Sequence, residues 1–274
     1  MTRIMATINA LPLERMKRVI LTDALLDAYT RHLGESPVRR HADRKPTDLP
    51  ADYFAFYTAV SSVYSSKIEG EDIDFNSYFK HRFQGVEFER DYTKRIDDLE
   101  AAYRFIAEHD LTPDALFEAH ARLSANLLPK HSRGKLRRTP MFVMSADDRI
   151  EYVAADHTIV GTELERLFSD IDALLSARLN DFEVFYYAAM IHLVFVKIHP
   201  FDDGNGRAAR LLEKWFLKSK LGTEAWSIEL EKNYFNRLPL YYSGLKKIGF
   251  DYTELDYTQA LDFLLMTAEG ILRR

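Results

Sequence analysis

The residues best suited to chemistry lie within one short stretch, 199–210, which reads H-P-F-D-D-G-N-G-R-A-A-R. The stretch follows the most apolar helical pattern of the chain, and Pro200 should end that helix because the residue before a proline disfavours helical geometry. Gly204 and Gly206 let the backbone turn tightly and approach a ligand closely. The next helix then begins, so its unpaired amide groups face the loop. This stretch is predicted to bind an anion.

Charged side chains around the loop indicate which anion it binds. Arg207 and Arg210 lie on one face of the second helix, and two neighbouring guanidinium groups suit the oxygens of a polyphosphate. Asp203 offers a hard oxygen ligand for Mg²⁺. His199 is a base that titrates near neutral pH. Each residue alone is more often structural or solvated, but their conjunction favours a nucleotide site with a general base.

Other nucleotide and metal motifs fit the stretch poorly. The pattern Gly204-x-Gly206-x-x-Ala209 matches a loose dinucleotide fingerprint, but that fingerprint needs a preceding strand, and here a helix precedes it. The chain contains neither G-x-x-x-x-G-K-[ST] nor H-E-x-x-H. His199 and Asp203 could ligate a transition metal, but such a site needs three or four ligands and no partners stand out.

The elements that must position these residues are almost all helical. Helices are predicted over 12–33, 53–68, 94–108, 113–127, 158–178, 182–198, 206–220, 231–248 and 256–272. Between 134 and 155, two β-prone runs flank the polar turn S-A-D-D, which predicts a β-hairpin that serves as a lid or a docking edge. The predicted fold class is all-α, a helical core with one short β-hairpin.

The composition argues against several classes of function. Of the 274 residues, 47% are hydrophobic and 29% are charged, as in ordinary globular proteins. The net charge of −5 gives no global attraction to nucleic acid or to an anionic membrane. The chain has no cysteine, which excludes thiolate catalysis and suits a reducing compartment. Neither a signal peptide nor a membrane span is recognisable, and we expect a cytoplasmic protein.

The stretch 199–210 resembles the signature of the Fic family, H-x-F-x-[D/E]-G-N-G-R-x-x-R, at every specified position. The resemblance extends over about 60–265 and includes the hairpin, which is placed like the family's flap. It implies a Fic-type helical core and the transfer of AMP from ATP to a Ser, Thr or Tyr hydroxyl of a protein. ATP would be the co-substrate and Mg²⁺ the metal, with Mn²⁺ as a candidate substitute.

The resemblance also assigns a role to each position of the motif. His199 would deprotonate the incoming hydroxyl, Phe201 would anchor the loop, and Asp203 would hold Mg²⁺ on the phosphates. The anion hole would be formed by Gly204, Asn205 and Gly206. Arg207 and Arg210 would hold the outer phosphates. Tyr241 and Tyr242 would border the adenine pocket.

A second motif indicates that the chain restrains itself. Residues 65–70 fit [S/T]-x-x-x-E-[G/N], the inhibitory-helix motif of many Fic proteins, with Ser65, Glu69 and Gly70 at the specified positions. If Glu69 reaches Arg210, its carboxylate would take the place of the γ-phosphate. The alternatives are a surface charge or a capping box with Ser66, although a box opens a helix and Glu69 closes one.

The flap and the domain order complete these expectations. By resemblance, Phe142, Val143 and Met144 would dock a target protein as an added strand, and a plain structural hairpin is the equal alternative.

Three regions are expected along the chain. Residues 1–90 would be N-terminal helices with the inhibitory helix at about 53–70. Residues 91–225 would be the Fic core with the flap at about 134–155, and residues 226–274 would be C-terminal helices packed on the core.

The function indicated is that of a protein adenylyltransferase, a nucleotidyltransferase autoinhibited by Glu69. Its expected partners are ATP and a protein substrate, with the chain itself as a candidate target, and a homo-oligomer is left open. Removal of AMP, transfer of another phosphate-containing group, and an inactive nucleotide-binding module are the alternatives. The intact His199 and Asp203 argue against the inactive module, because a binding module has no use for a base.

Overall fold

Helices dominate the structure, a computed structural model that describes residues 18–37, 52–86, 93–145 and 147–272. The α-helices are α1 (Leu26–Leu33), α2 (Tyr53–Ile68), α3 (Phe75–Gln84), α4 (Lys94–Glu108), α5 (Pro113–Leu123), α6 (Val160–Ser176), α7 (Asp181–Ile198), α8 (Asn205–Leu221), α9 (Leu230–Asn236), α10 (Leu238–Lys247) and α11 (Leu261–Leu272). Strands β1 (Phe142–Met144) and β2 (Ile150–Val153) form an antiparallel hairpin. The predicted all-α fold with one hairpin is confirmed.

The centre of the core is α7. Its side chains from Val184 onward are almost all buried, and it packs on α8, α11 and α6. Asn180 and Glu183 form a capping box that starts the helix. His199 ends it in the left-handed conformation, with φ of 55°. Because α7 is packed on several sides, the position of its last turn is well defined, and that turn carries His199.

The helix α2 ends close to the start of α8. The side chain of Asp52 accepts a hydrogen bond from the Ala55 amide and caps the first turn. The face of α2 that contains Ser61 and Ser65 is buried against the rest of the protein, with α9 and α4 as its main neighbours. The helix ends at Ile68, and Gly70 follows with φ of 88°, as the predicted stop requires.

Some predicted helix boundaries were wrong. The helix expected over 12–33 begins only at Leu26, because the amides of 19–21 bind the carboxylate of Asp170, and its residues 12–17 lie outside the described part of the chain. The helix expected over 231–248 is divided at Arg237, because Pro239 lacks the amide that would continue it. The short helix α3 was not predicted. Each helix in the described part of the chain is too short or too polar to span a bilayer.

Candidate active site

A cleft of about 570 Å³ lies between the hairpin, the end of α7, the start of α8 and the helix α10. It brings together predicted site residues from four separate parts of the sequence. The predicted residues that line it are Glu69, Val143, Met144, His199, Gly206, Tyr241 and Tyr242.

One ring nitrogen of His199 is left with its lone pair available. Its Nδ1 donates a hydrogen bond to the carbonyl of Val196 at 3.0 Å, which leaves the lone pair on Nε2. Burial lowers the pKa of His199 and Arg137 adds to this effect, while the hydrogen bond to the Val196 carbonyl and the carboxylates of Glu69 and Asp203 oppose it. The ring is therefore neutral at pH 7, which is the state that a general base needs.

The loop after His199 is held by its own side chains. Phe201 is fully buried, as an anchor should be. Asn205 clamps the loop, because its Oδ1 accepts from the Phe201 amide at 2.9 Å and its Nδ2 donates to the Phe201 carbonyl at 2.8 Å. The Asn205 side chain is thus engaged with the protein, and its part in an anion hole would be that of its backbone amide. Gly204 adopts φ of 79°, which favours glycine.

Asp203 is an exposed residue of this loop. One oxygen, Oδ1, accepts a hydrogen bond from the Gly204 amide at 2.6 Å. Within the described residues, no group of three or more His, Cys, Asp or Glu side chains could hold a metal ion. A single carboxylate beside a phosphate site nevertheless fits Mg²⁺, which commonly binds through one or two carboxylates, substrate phosphates and water.

Arg210 is the most enclosed cation of the site. Its guanidinium donates to Ser65 Oγ at 2.8 Å, to the Ser65 carbonyl at 3.1 Å, to Glu69 Oε1 at 2.6 Å and to the hydroxyl of Tyr241 at 3.2 Å. Burial alone would raise the pKa of Glu69, but Arg210 and Arg207 outweigh it and lower that pKa. The pair is therefore ionised, and Ser65, Glu69 and Arg210 lie together as the inhibitory motif predicts.

The carboxylate of Glu69 lies directly above Gly206, at the start of α8. A Cβ built on Gly206 would overlap with Glu69 Oε1, so a larger residue at 206 would force the Glu69 side chain to shift. The alternative capping box is not formed, because Ser66 Oγ has no hydrogen-bond partner among the described residues. Glu69 thus occupies the space in front of the predicted anion-binding amides.

Arg207 is paired with an acid that the sequence analysis did not single out. Its Nη2 donates to Glu71 Oε1 at 2.5 Å, and the same oxygen lies 3.7 Å from Nη1 of Arg95. Both arginines of the motif therefore face carboxylates that follow α2. The only sequence signal for Glu71 is that it lies two residues after Glu69, across the turn at Gly70.

Tyr241 and Tyr242 contact different parts of the cleft. Tyr241 is buried, and its hydroxyl lies between Arg210 and Nε2 of His192, 3.0 Å away. Nδ1 of His192 in turn contacts Glu213 at 2.7 Å. Tyr242 is partly exposed and donates to the carbonyl of Ile68, at the end of α2. Tyr241 thus supports an arginine as well as lining the cleft, and the adenine-pocket role of both tyrosines stays a prediction.

The hairpin presents one edge to solvent. Val153 in β2 donates to the carbonyl of Phe250 at 2.9 Å, so part of the outer edge of β2 is already paired. In β1, Phe142 and Met144 are exposed, and the hairpin is a two-stranded sheet within the described residues. Tyr152 ties the hairpin to α7, since its hydroxyl donates to the Lys197 carbonyl at 2.7 Å. The edge of β1 is the one on which another strand could pair.

Comparison with known proteins identifies the family to which this site belongs. Residues 110–217, which include the motif and the hairpin, match the family model described as Fic/DOC family. The protein adenylyltransferase fic-1 of Caenorhabditis briggsae is 32% identical over 121 residues, covering 42% of this chain and 22% of that protein. The part of the chain that holds the site, residues 110–217, is thus a domain of the Fic/DOC family.

Solved Fic structures share this fold. A Fic family protein from Desulfovibrio desulfuricans G20 matches with a TM-score of 0.71 at 18% identity, covering 94% of this chain and 76% of the other. A fragment of Fic-1 from C. elegans matches with a TM-score of 0.64 at 18% identity, covering 92% of this chain and 72% of the other. The chain spans about a fifth of the length of the curated relatives that it matches.

Two buried residues of the Fic domain, His120 and Arg137, hold the backbone of the loop, and the sequence analysis did not predict them. His120 stacks on Phe201, with ring centroids 3.6 Å apart, donates from Nε2 to the Asp203 carbonyl at 2.9 Å and accepts from the Gly134 amide at 3.0 Å. Burial lowers the pKa of His120 to about 4, which keeps the ring neutral. Arg137 donates to the carbonyls of His199 and Thr139, at 2.7 and 2.9 Å, and to that of Ala155.

Proposed function

We propose that the chain is a protein adenylyltransferase that moves AMP from ATP to a hydroxyl of a protein. The observation that carries this proposal is that His199 lines the same cleft as Gly206, where α8 begins with Arg207 and Arg210 on its first turns. The proposed base and the proposed polyphosphate site would thus lie beside one space. Phosphoryl-type transfer needs mainly this positioning and the neutralisation of charge.

The reaction follows from the chemistry of these groups. The substrate hydroxyl gives its proton to Nε2 of His199, its oxygen bonds to the α-phosphorus, and the bond from that phosphorus to the β-phosphate oxygen breaks. Pyrophosphate leaves, and AMP stays on the protein. Arg207, Arg210 and the amides at the start of α8 would hold the phosphates. Mg²⁺, held by Asp203 and the nucleotide, would supply further neutralisation of phosphate charge when bound.

The target protein would dock on the flap, within reach of His199. The support is the exposed edge of β1, formed by Phe142, Val143 and Met144, of which Val143 and Met144 line the cleft. An extended target segment could pair there as an added strand. The chain itself is a candidate target of the same kind.

Glu69 would keep this activity low. Its carboxylate is bonded to Arg210 and lies above Gly206, where an outer phosphate of ATP would otherwise bind. ATP could then bind only in a displaced position, with its α-phosphate poorly aligned for attack. Inhibition would arise from geometry and from repulsion between like charges.

The direct test is to incubate the protein with ATP and Mg²⁺ and to look for AMP on itself or on proteins of a lysate by mass spectrometry. His199→Ala should lower incorporation by about 10²–10⁴-fold, because a general base contributes that much, while calorimetry still detects ATP binding. His131→Ala, at an exposed histidine of the same domain, is the matched control. Wild-type turnover in His199→Ala would remove the base from the proposal, and a panel of labelled nucleotides would separate AMP transfer from transfer of another group.

A further inference from the structure

Glu71 and Arg207 form an ion pair that the motifs of the sequence do not explain. Arg207 is nearly enclosed, with 5% of its side-chain surface exposed, and its Nη2 lies 2.5 Å from Glu71 Oε1. Its Nε has no hydrogen-bond partner among the described residues. Among these residues the Glu71 carboxylate is therefore the one short charged contact of the guanidinium, and the Nε donor is buried without a partner.

The two acids after α2 match the two arginines of α8. Glu69 contacts Arg210 and Glu71 contacts Arg207, and the turn at Gly70 separates the two acids. Two carboxylates therefore neutralise the two guanidiniums that a polyphosphate would need. A nucleotide that binds both arginines must displace both acids, and release of Glu69 alone leaves Arg207 occupied.

Glu71 has a second cation to which it can turn. Nη1 of Arg95 lies 3.7 Å from the same oxygen that Arg207 contacts, and 51% of the Arg95 side chain is exposed. Burial raises the pKa of Glu71 against the effects of Arg207 and Arg95, whereas the pKa of Glu69 is lowered. The Glu71 carboxylate is therefore the less strongly stabilised of the two and the easier to displace.

We propose that Glu71 competes with the phosphates of the donor nucleotide for Arg207, and that Arg95 receives its carboxylate when the nucleotide is bound. This inference rests on the proposed function in taking ATP as the donor. It makes Glu71 a residue that sets the affinity for ATP, distinct from Glu69, which would set the alignment of its α-phosphate.

The experiment compares KM for ATP and kcat in a Glu69→Gly background. Glu71→Gln should lower KM by about 5-fold or more, the lower end of the range for coupled sites, and should leave kcat unchanged. Arg95→Gln should raise KM for ATP, because Glu71 loses its alternative partner and stays on Arg207. The double variant should behave like Glu71→Gln. Asp72→Asn removes the same charge at an exposed neighbouring position and is the matched control.

A purely structural role for Glu71 gives a different pattern. If the acid only holds Arg207 in place, Glu71→Gln and Arg95→Gln should both raise KM, and that result overturns the inference, as does an unchanged KM in Glu71→Gln. Calorimetry of ATP-Mg binding to the same variants measures the competition without any transfer step. If Glu69→Gly incorporates no AMP, the proposed function fails, while the calorimetry still decides the role of Glu71.

Discussion

Glu69 and Arg210 form an ion pair of 2.6 Å in which the two partners differ sharply in burial. Arg210 exposes 1% of its side chain and Glu69 exposes 31%. The arginine is fixed by Ser65 and Tyr241 as well, so it cannot follow the acid. Release of the pair therefore requires movement of Glu69 at the end of α2.

The first prediction is that Glu69→Gly raises AMP transfer. Loss of the carboxylate frees Arg210 and the space above Gly206, and a coupling of about 1–3 kcal/mol corresponds to roughly 5–150-fold. Arg210→Ala should not reproduce this gain, since the same arginine would bind the phosphate. AMP incorporation is measured at one ATP-Mg concentration, with Asp72→Gly as the control. Equal rates in wild type and Glu69→Gly would return Glu69 to a structural role.

The second prediction concerns the contact between Gly206 and Glu69. An alanine at 206 favours the helix by up to about 1 kcal/mol, but its Cβ would overlap with Glu69 Oε1 unless that side chain shifted. Gly206→Ala should therefore stabilise the Glu69→Gly variant and fail to stabilise the wild type.

Chemical denaturation of the wild type, Glu69→Gly, Gly206→Ala and the double variant measures the coupling energy between positions 69 and 206. We expect this coupling to be about 0.5–3 kcal/mol. Gly161→Ala is the matched control, because within the described part of the chain a Cβ on this glycine of α6 meets only Leu136, at an ordinary 3.7 Å. Its effect should be the same in both backgrounds. A Gly206→Ala effect that is also independent of Glu69 would contradict the placement of the acid.

The third prediction concerns the metal. Asp203→Ala should weaken ATP binding in the presence of Mg²⁺ and leave binding without metal unchanged, because this carboxylate would act only through the ion. Calorimetry with and without Mg²⁺ measures both, and Mn²⁺ should substitute in the wild type. Asp202→Ala, at the exposed neighbouring aspartate, is the control. Equal Mg²⁺ dependence in Asp203→Ala and wild type would rule out the ligand role.

The fourth prediction concerns pH. A general base acts when it is deprotonated, so a lowered pKa of His199 extends activity to lower pH. The acidic limb of kcat/KM against pH should therefore lie below the ordinary histidine value of about 6.5. Glu69 raises this pKa, so Glu69→Gly should move the limb further down. NMR titration of His199 in both proteins checks the direction, and a pKa above the ordinary value would contradict it.

Local patterns were enough to predict much of this molecule. The motif at 199–210, the helix that ends before Gly70 and the hairpin depend on neighbouring residues, and each was predicted from the sequence. The break between α9 and α10 was missed although Pro239 signals it. The short helix α3 was missed although Asp74 caps it and Phe75, Phe79 and Phe83 follow at helical spacing.

Other parts of the site depend on contacts between distant segments. Arg137 binds carbonyls 18 and 62 positions away, and His120 binds the backbone 83 positions away. No spacing rule connects such residues, because the connection exists only after the helices have packed. Glu71 is an intermediate case, since its place after Glu69 is local but its pairing with Arg207 is not.

The bond from Arg137 to the His199 carbonyl also has an electrostatic consequence. The C-terminal end of a long helix carries partial negative charge, which normally stabilises a protonated histidine and raises its pKa. Here the carbonyls of Ile198 and His199 accept from the buried guanidinium of Arg137, at 3.4 and 2.7 Å. A full positive charge therefore offsets the negative pole of α7, and His199 can stay unprotonated at a position in the fold that would otherwise favour its acid form.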